Sequence, residues 1–226
     1  MTLALLLTSC GKDNYSEPTS TLTGQIIYQD SVTLKETPIQ LRGTGGAVSL
    51  QLYQDGYANP GNITVYVDQD GTFRAKLFDG VYKMVTKDRN GPWVNTRDTS
   101  IVTVKGNTVF NRKVKPYFIL TDDAITLTDS IMNCSCNITA IVPDAVIGSV
   151  SMIIGNTKFV DDSNKLQLKT ATVTKPGPFS FKLNLNLDNK EKTWASIKAS
   201  RELYARIAVK AKGADQAVYT KLVKLR

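Results

Sequence analysis

The side chains of this 226-residue chain that could do chemistry are few, and histidine is missing altogether. Without imidazole there is no Ser-His-Asp or Cys-His nucleophile and no histidine-based metal site. Carboxylate pairs of the kind glycoside hydrolases use remain available. The local pairs are Asp68/Asp70, Asp122/Asp123 and Asp161/Asp162. Each sits where a turn favours Asp, so turn chemistry is the plainer reading. Asp68-x-Asp70-Gly71 matches the start of a calcium loop, but no Glu closes the loop and Phe73 and Leu77 alternate through it instead. Cys134 and Cys136 are separated by one residue. Neighbours that close bridge only with strain, and on an extended strand both point to one face. Two thiols are expected, with a strained bridge as the lesser alternative. No zinc site, other metal site or cofactor is expected, because two thiolates lack further partners.

Binding chemistry has a better candidate. Asn90-Gly91-Pro92-Trp93 is the most unusual loop of the chain. Pro92 fixes φ just before a Trp, which favours a rigid indole. A rigid exposed indole can stack on the apolar face of a sugar, with Asn90, Asn95 and Arg97 supplying hydrogen bonds. The competing reading has Trp93 plugging the end of a sandwich or packing on the second domain, as large aromatics usually do. Tyr53, Tyr57 and Tyr66 flank the same region in sequence. Tyr66 is out of phase with Ile63, Val65 and Val67, so it should face outward and could join a binding surface.

The first ten residues, MTLALLLTSC, hold a short apolar run, two small residues and Cys10. This order resembles the end of a bacterial lipoprotein signal peptide, with Leu7–Cys10 as the lipobox. Acylation of Cys10 is therefore expected, and several acyl chains at one site give stable anchoring. Residues 11–20 are polar and read as a tether. Asp13, just after the Cys, resembles the export signal of surface lipoproteins in Bacteroidetes. No apolar run approaches the roughly 20 residues of a membrane-spanning helix.

These residues must be positioned by β-structure. Between residues 63 and 84, apolar and polar residues alternate, with reversals at Asp70-Gly71 and Asp79-Gly80. Asp-Gly suits a tight hairpin turn, so a three-stranded meander with one apolar face is expected. Short strands at regular spacing continue on both sides, which predicts an all-β chain of two tandem antiparallel sandwiches. The boundaries expected are 21–115 and 116–226, with the joint at Lys115-Pro116-Tyr117, where Pro116 cannot donate to a ladder. A joint this short suggests domains packed end to end with limited swing. In the second domain Phe179–Leu187 and Leu203–Lys210 alternate cleanly, which predicts one wet and one buried face. Residues 190–200 read as a helical turn carrying Trp194 and Ile197. Residues 190–226 hold ten Lys/Arg against three acidic residues. They form either a basic surface for acidic partners or solvated strand faces. No nucleic-acid fold signature is present.

Gly24-Gln25-Ile26, Asp70–Phe73 and Gly80-Val81-Tyr82 resemble prealbumin-like domains, also called carboxypeptidase-regulatory-like, and the second half resembles an immunoglobulin or fibronectin sandwich. Together with Lys12–Tyr15, Val65–Phe73, Asn90–Asn95 and Pro116–Phe118, these segments resemble a family of two-domain Bacteroidetes lipoproteins. That family is of unknown function, and its genes lie among polysaccharide-utilisation loci. The resemblance implies a non-enzymatic, lipid-anchored protein of the outer membrane or cell surface. It would bind a polysaccharide or oligosaccharide, or assist an outer-membrane importer and its SusD-like partner. The alternative is a structural adhesion or fimbria-type subunit. A carboxylate-pair glycoside hydrolase ranks last. The resemblance supplies no catalytic residues.

Overall fold

The computed structural model of the protein describes residues 16–56, 61–186 and 191–226. Cys10, Lys12–Tyr15 and Tyr57 lie outside them. The first domain runs through β1 (Ser20–Gln29), β2 (Glu36–Pro38), β3 (Ser49–Tyr53), β4 (Ile63–Tyr66), β5 (Thr72–Leu77), β6 (Gly80–Thr86), β7 (Ser100–Val104), β8 (Asn107–Val109) and β9 (Arg112–Lys113). One sheet has the order β4-β3-β6-β7 and is antiparallel throughout. The other is built on β1, which pairs antiparallel with β2 and β5. On its free side β1 pairs parallel with β8 and then β9. These two short ladders depart from the purely antiparallel expectation. They arise because the chain returns to β1 from the opposite sheet and must run alongside it in the same direction.

The meander expected over residues 63–84 is not formed. β4 and β6 belong to one sheet and β5 to the other. The Asp70-Gly71 turn starts as a hairpin: Asp68 N donates to Thr72 O at 2.8 Å, and Val67 bridges Phe73. Beyond that bridge the strands part, and the chain crosses the sandwich at each turn. The alternation still marks the buried side, since Val65, Val67, Phe73, Leu77, Tyr82 and Met84 are all in the core. Period two reports which face is buried; it carries no information on which strand lies alongside.

The second domain contains β10 (Phe118–Thr128), β11 (Ile131–Ala140), β12 (Ile147–Gly155), β13 (Gln167–Ala171), β14 (Gly177–Asn184), α1 (Glu191–Ala199), β15 (Tyr204–Ala211), β16 (Val218–Tyr219) and β17 (Val223–Lys224). Its sheets are β10-β11-β14 and β13-β12-β15-β16, with β17 beside β15. All its pairings are antiparallel. The core lies between Ile125, Met132, Ile138 and Leu183 on one side and Val150, Met152, Ile207 and Val209 on the other. β10 is one long strand with an irregularity between Thr121 and Ala124. Asp122 takes φ +53° there, so this Asp pair makes a bulge within a strand.

β15 was expected to be wet on one face, and it is buried on both. Tyr204, Arg206 and Ala208 are no more than 5% exposed. They pack with Ile153, Val160 and Tyr219 or reach the first domain. Alternation along a strand cannot foresee that a loop and a second domain will cover its polar side.

That cover is the domain interface, and it is polar. The Arg206 guanidinium donates to Thr220 O (3.0 Å), to Leu41 O (2.8 Å) and to Gln69 O (3.5 Å). It also lies 4.5 Å from the centre of the Tyr219 ring. Asp161 accepts from Thr44 N at 3.1 Å and from the Thr44 hydroxyl. Arg42 Nε sits 3.4 Å from Asp162 and 3.8 Å from Asp161. Arg89 pairs with Asp215 at 3.5 Å. Asp161 thus does more than close its own turn, because it ties the 156–166 loop to the first domain.

Candidate functional site

The residues singled out around Trp93 do not form one exposed site. Trp93 is 2% exposed, so its ring is not a platform for sugar stacking. Its backbone bridges Pro116, and the loop is stapled to the joint by Val94 N to Lys115 O and Tyr117 N to Pro92 O, both 3.0 Å. The indole is buried over Gly91 in its own loop, beside the backbone pairing that fixes the joint. Asn90 is spent on structure: Oδ1 accepts from Ser49 N at 2.6 Å and Nδ2 donates to Ala47 O at 2.5 Å. Asn95 Oδ1 accepts from Arg89 N at 3.2 Å. Arg97 is exposed and pairs with Asp88 at 2.8 Å. Tyr66 does face outward, 64% exposed, over Gly46. It is linked to Asn90 through Ser49, its cross-strand partner.

The same loop nevertheless leads into a cleft. Thr96 and Asp98, which alternate with Asn95 and Arg97, line a depression of about 650 Å³ at the domain junction. Tyr28 and Gln29 at the end of β1, Lys113 of β9 and Lys115 beyond it also line it, with Ile141 from the second domain. Tyr28 is half-buried against the core. Its phenol is pushed above its ordinary value, first by burial and then by the nearby Asp30 carboxylate. Asp98 carries the one carboxylate lining this cleft. Burial works against its charge, but the Thr96 hydroxyl and the Arg112 guanidinium outweigh burial and hold it below the usual range. Arg112 is 2% exposed and meets Asp98 Oδ1 at 2.9 Å. Lys113 Nζ donates to Gln29 Oε1 at 2.7 Å.

Chemically this is a hydrogen-bonding cleft with one aromatic wall. It offers hydroxyls, an amide, two ammonium groups and a single fixed carboxylate, the set that recognises polyhydroxylated ligands. The other carboxylate pairs lie elsewhere. Asp70 accepts from Thr72 N and Oγ1 in its turn, Asp122 is in the bulge, and Asp161 is in the interface. Cys134 and Cys136 are free thiols buried in the second core. No group of three or more His, Cys, Asp or Glu able to hold a metal occurs among the described residues.

Half-buried Trp194 lines a smaller cleft of about 330 Å³ with Asp129 and Arg226. Lys198 Nζ lies 5.7 Å over its ring, so one aromatic face there is already occupied. The basic C-terminal segment is also partly committed: Arg206 is buried, Lys224 pairs with Glu202, and Arg226 donates to carbonyls at the end of α1.

Sequence reasoning missed Tyr28, Asp98, Lys113 and Lys115 as a group. Their only shared signal is alternation, with Lys113 and Lys115 on one side of an extended segment. What gathers them is parallel pairing of β9 with β1, which local pattern does not report.

The arrangement defines an all-β protein of two tandem sandwiches joined through a polar interface. The chain belongs to the DUF3823 family. The model described as "Protein of unknown function (DUF3823) N-terminal domain" matches residues 20–115, and "Domain of unknown function (DUF3823_C)" matches 118–224. A DUF3823 family protein from Parabacteroides merdae ATCC 43184 is 42% identical, with TM-score 0.85 over 93% of this chain and 100% of that one. One from Bacteroides ovatus ATCC 8483 is 27% identical, with TM-score 0.76 over 92% and 98%. A protein from Bacteroides uniformis ATCC 8492, described as a "putative carbohydrate binding protein", is 16% identical, with TM-score 0.73 over 92% and 99%. No curated protein matches the chain.

Proposed function

We propose that this protein is a lipid-anchored, non-enzymatic envelope protein that binds oligosaccharide in the Tyr28 cleft. It would act as an accessory to a polysaccharide-uptake system, beside an outer-membrane importer and its SusD-like partner. The cleft carries the reading: a half-buried aromatic side chain stands among convergent hydroxyl, amide and charged groups, with Asp98 held ionised by Arg112. The Bacteroides uniformis relative described as carbohydrate binding shares the fold at 16% identity. The lipobox ending at Cys10 supports anchoring at the envelope.

The test is titration of the purified protein with a panel of oligosaccharides. Tyr28→Ala is expected to weaken the ligands that bind by roughly tenfold, through lost stacking and apolar area. Phe159→Ala, exposed and outside this cleft, should leave them unchanged. Equal affinity for Tyr28→Ala and the unaltered protein would remove the cleft as the binding site.

A further inference from the structure

We infer that the cleft selects acidic oligosaccharides, those bearing carboxylate or sulfate groups, through Lys113 and Lys115. This rests on the cleft being the glycan site. Lys113 Nζ is held by Gln29 Oε1 at 2.7 Å, and that acceptor is neutral. The ammonium group therefore keeps two further N–H donors. Lys115 follows two residues on, and lines the same cleft. In extended chain that spacing puts both side chains on one side, about 7 Å apart. The cleft's own carboxylate does not cancel them, because Asp98 is matched by Arg112 at 2.9 Å. The lining thus holds two ammonium groups, Lys113 and Lys115, against one carboxylate, Asp98, which already has Arg112 beside it.

The surroundings do not restore the balance. Arg97 and Asp88 pair at 2.8 Å and sum to zero. Asp30 lies beyond the lining, where Val32 N, Thr33 N and the Thr33 hydroxyl all donate to Oδ1. It also accepts a hydrogen bond from the Tyr28 phenol, so a second carboxylate stands beside the aromatic wall. Tyr28 and Thr96 line the same cleft as the positive pair. One sugar ring could contact the aromatic wall while its acidic substituent meets the ammonium groups.

The probes are oligogalacturonate, its fully methyl-esterified counterpart, a sulfated chondroitin oligosaccharide and a panel of neutral oligosaccharides. Titrations use the unaltered protein, Tyr28→Ala, and the double variant Lys113→Gln/Lys115→Gln. Both lysines are exposed, so the double variant should keep its fold, which circular dichroism checks. At least one acidic probe should bind, with the carboxylate and sulfate arms showing which anion is preferred. Its uncharged counterpart should bind about tenfold more weakly. The double variant should lose at least tenfold for the acidic probe, and raising salt should weaken binding. If neutral and esterified ligands bind as well as acidic ones and still depend on Tyr28, charge selection is wrong and the cleft stands. Acidic binding that survives in the double variant also overturns the inference. If nothing binds in any arm, both the selection and the cleft reading fall.

Discussion

The indole of Trp93 lies directly on Gly91. A Cβ built at Gly91 would sit 2.2 Å from Cε2 and Cζ2 of that ring. Two residues of one loop thus fold onto each other, and the missing side chain of the first is the space the second occupies. Trp93 cannot yield, because it is 2% exposed and wedged at the joint beside Pro116.

Gly91→Ala should therefore destabilise the protein by about 1–3 kcal/mol, the range for overpacking a filled core. Urea unfolding would measure it, and Trp fluorescence should shift as the ring moves toward water. A loss below about 0.5 kcal/mol would show that the loop repacks freely.

Arg206 joins the domains through backbone carbonyls. Arg206→Met keeps the bulk and removes the donors to Leu41, Thr220 and Gln69. Gln69 O keeps its bond from Leu41 N at 2.7 Å, but the Leu41 and Thr220 carbonyls lose this donor, which should cost about 2–4 kcal/mol. Arg206→Lys should recover less than half of that, since a single ammonium cannot span a planar fork. Denaturant melts of the three proteins decide it; full recovery by Lys would mean that charge alone holds the interface.

Burial pushes the Cys134 thiol up to about 12, helped by Cys136, and the Cys136 thiol up to about 11, helped by Asp123. Both stay protonated in the folded protein, whereas unfolded thiols ionise near pH ~8.5. Above that pH the unfolded chain binds fewer protons than the folded one, so this stabilisation declines as pH rises from about 9 toward 11 and 12. At neutral pH the Cys134→Ala/Cys136→Ala variant should be the less stable protein. The gap should narrow by at least about 1 kcal/mol on going from pH 7.5 to pH 10. A gap of constant size at both pH values would contradict the linkage.

Lipidation makes a separate prediction. Expressed in its native envelope, the protein should partition into detergent and carry acyl mass at Cys10, and Cys10→Ser should release it to the soluble fraction. A free thiol at Cys10 in the mature, membrane-bound protein would refute the anchor.

Much of the fold is legible in residue order. β5, β14 and β15 fall where alternating apolar residues place them, and α1 falls where Trp194 and Ile197 sit three apart. The sheet to which each strand belongs is not legible, as β5 shows by leaving its chain neighbours for β1. The candidate site was harder still. Trp93 and Asn90 attract notice because Trp and Asn in a Gly-Pro loop suit sugar binding, yet Trp93 is buried beside the joint and Asn90 ties its loop to the start of β3. Tyr28 and Lys113 carry no local mark, because their nearness depends on a long-range parallel ladder.

Residue order by itself determined that the chain is all-β, in two sandwiches meeting near Pro116, since period-two burial is a local property of an extended backbone. Only tertiary structure decided that Arg206 is buried, that Trp93 is hidden and that Tyr28 and Lys113 line one cleft. Those outcomes depend on which surfaces meet, and a side chain's exposure is set by what packs over it.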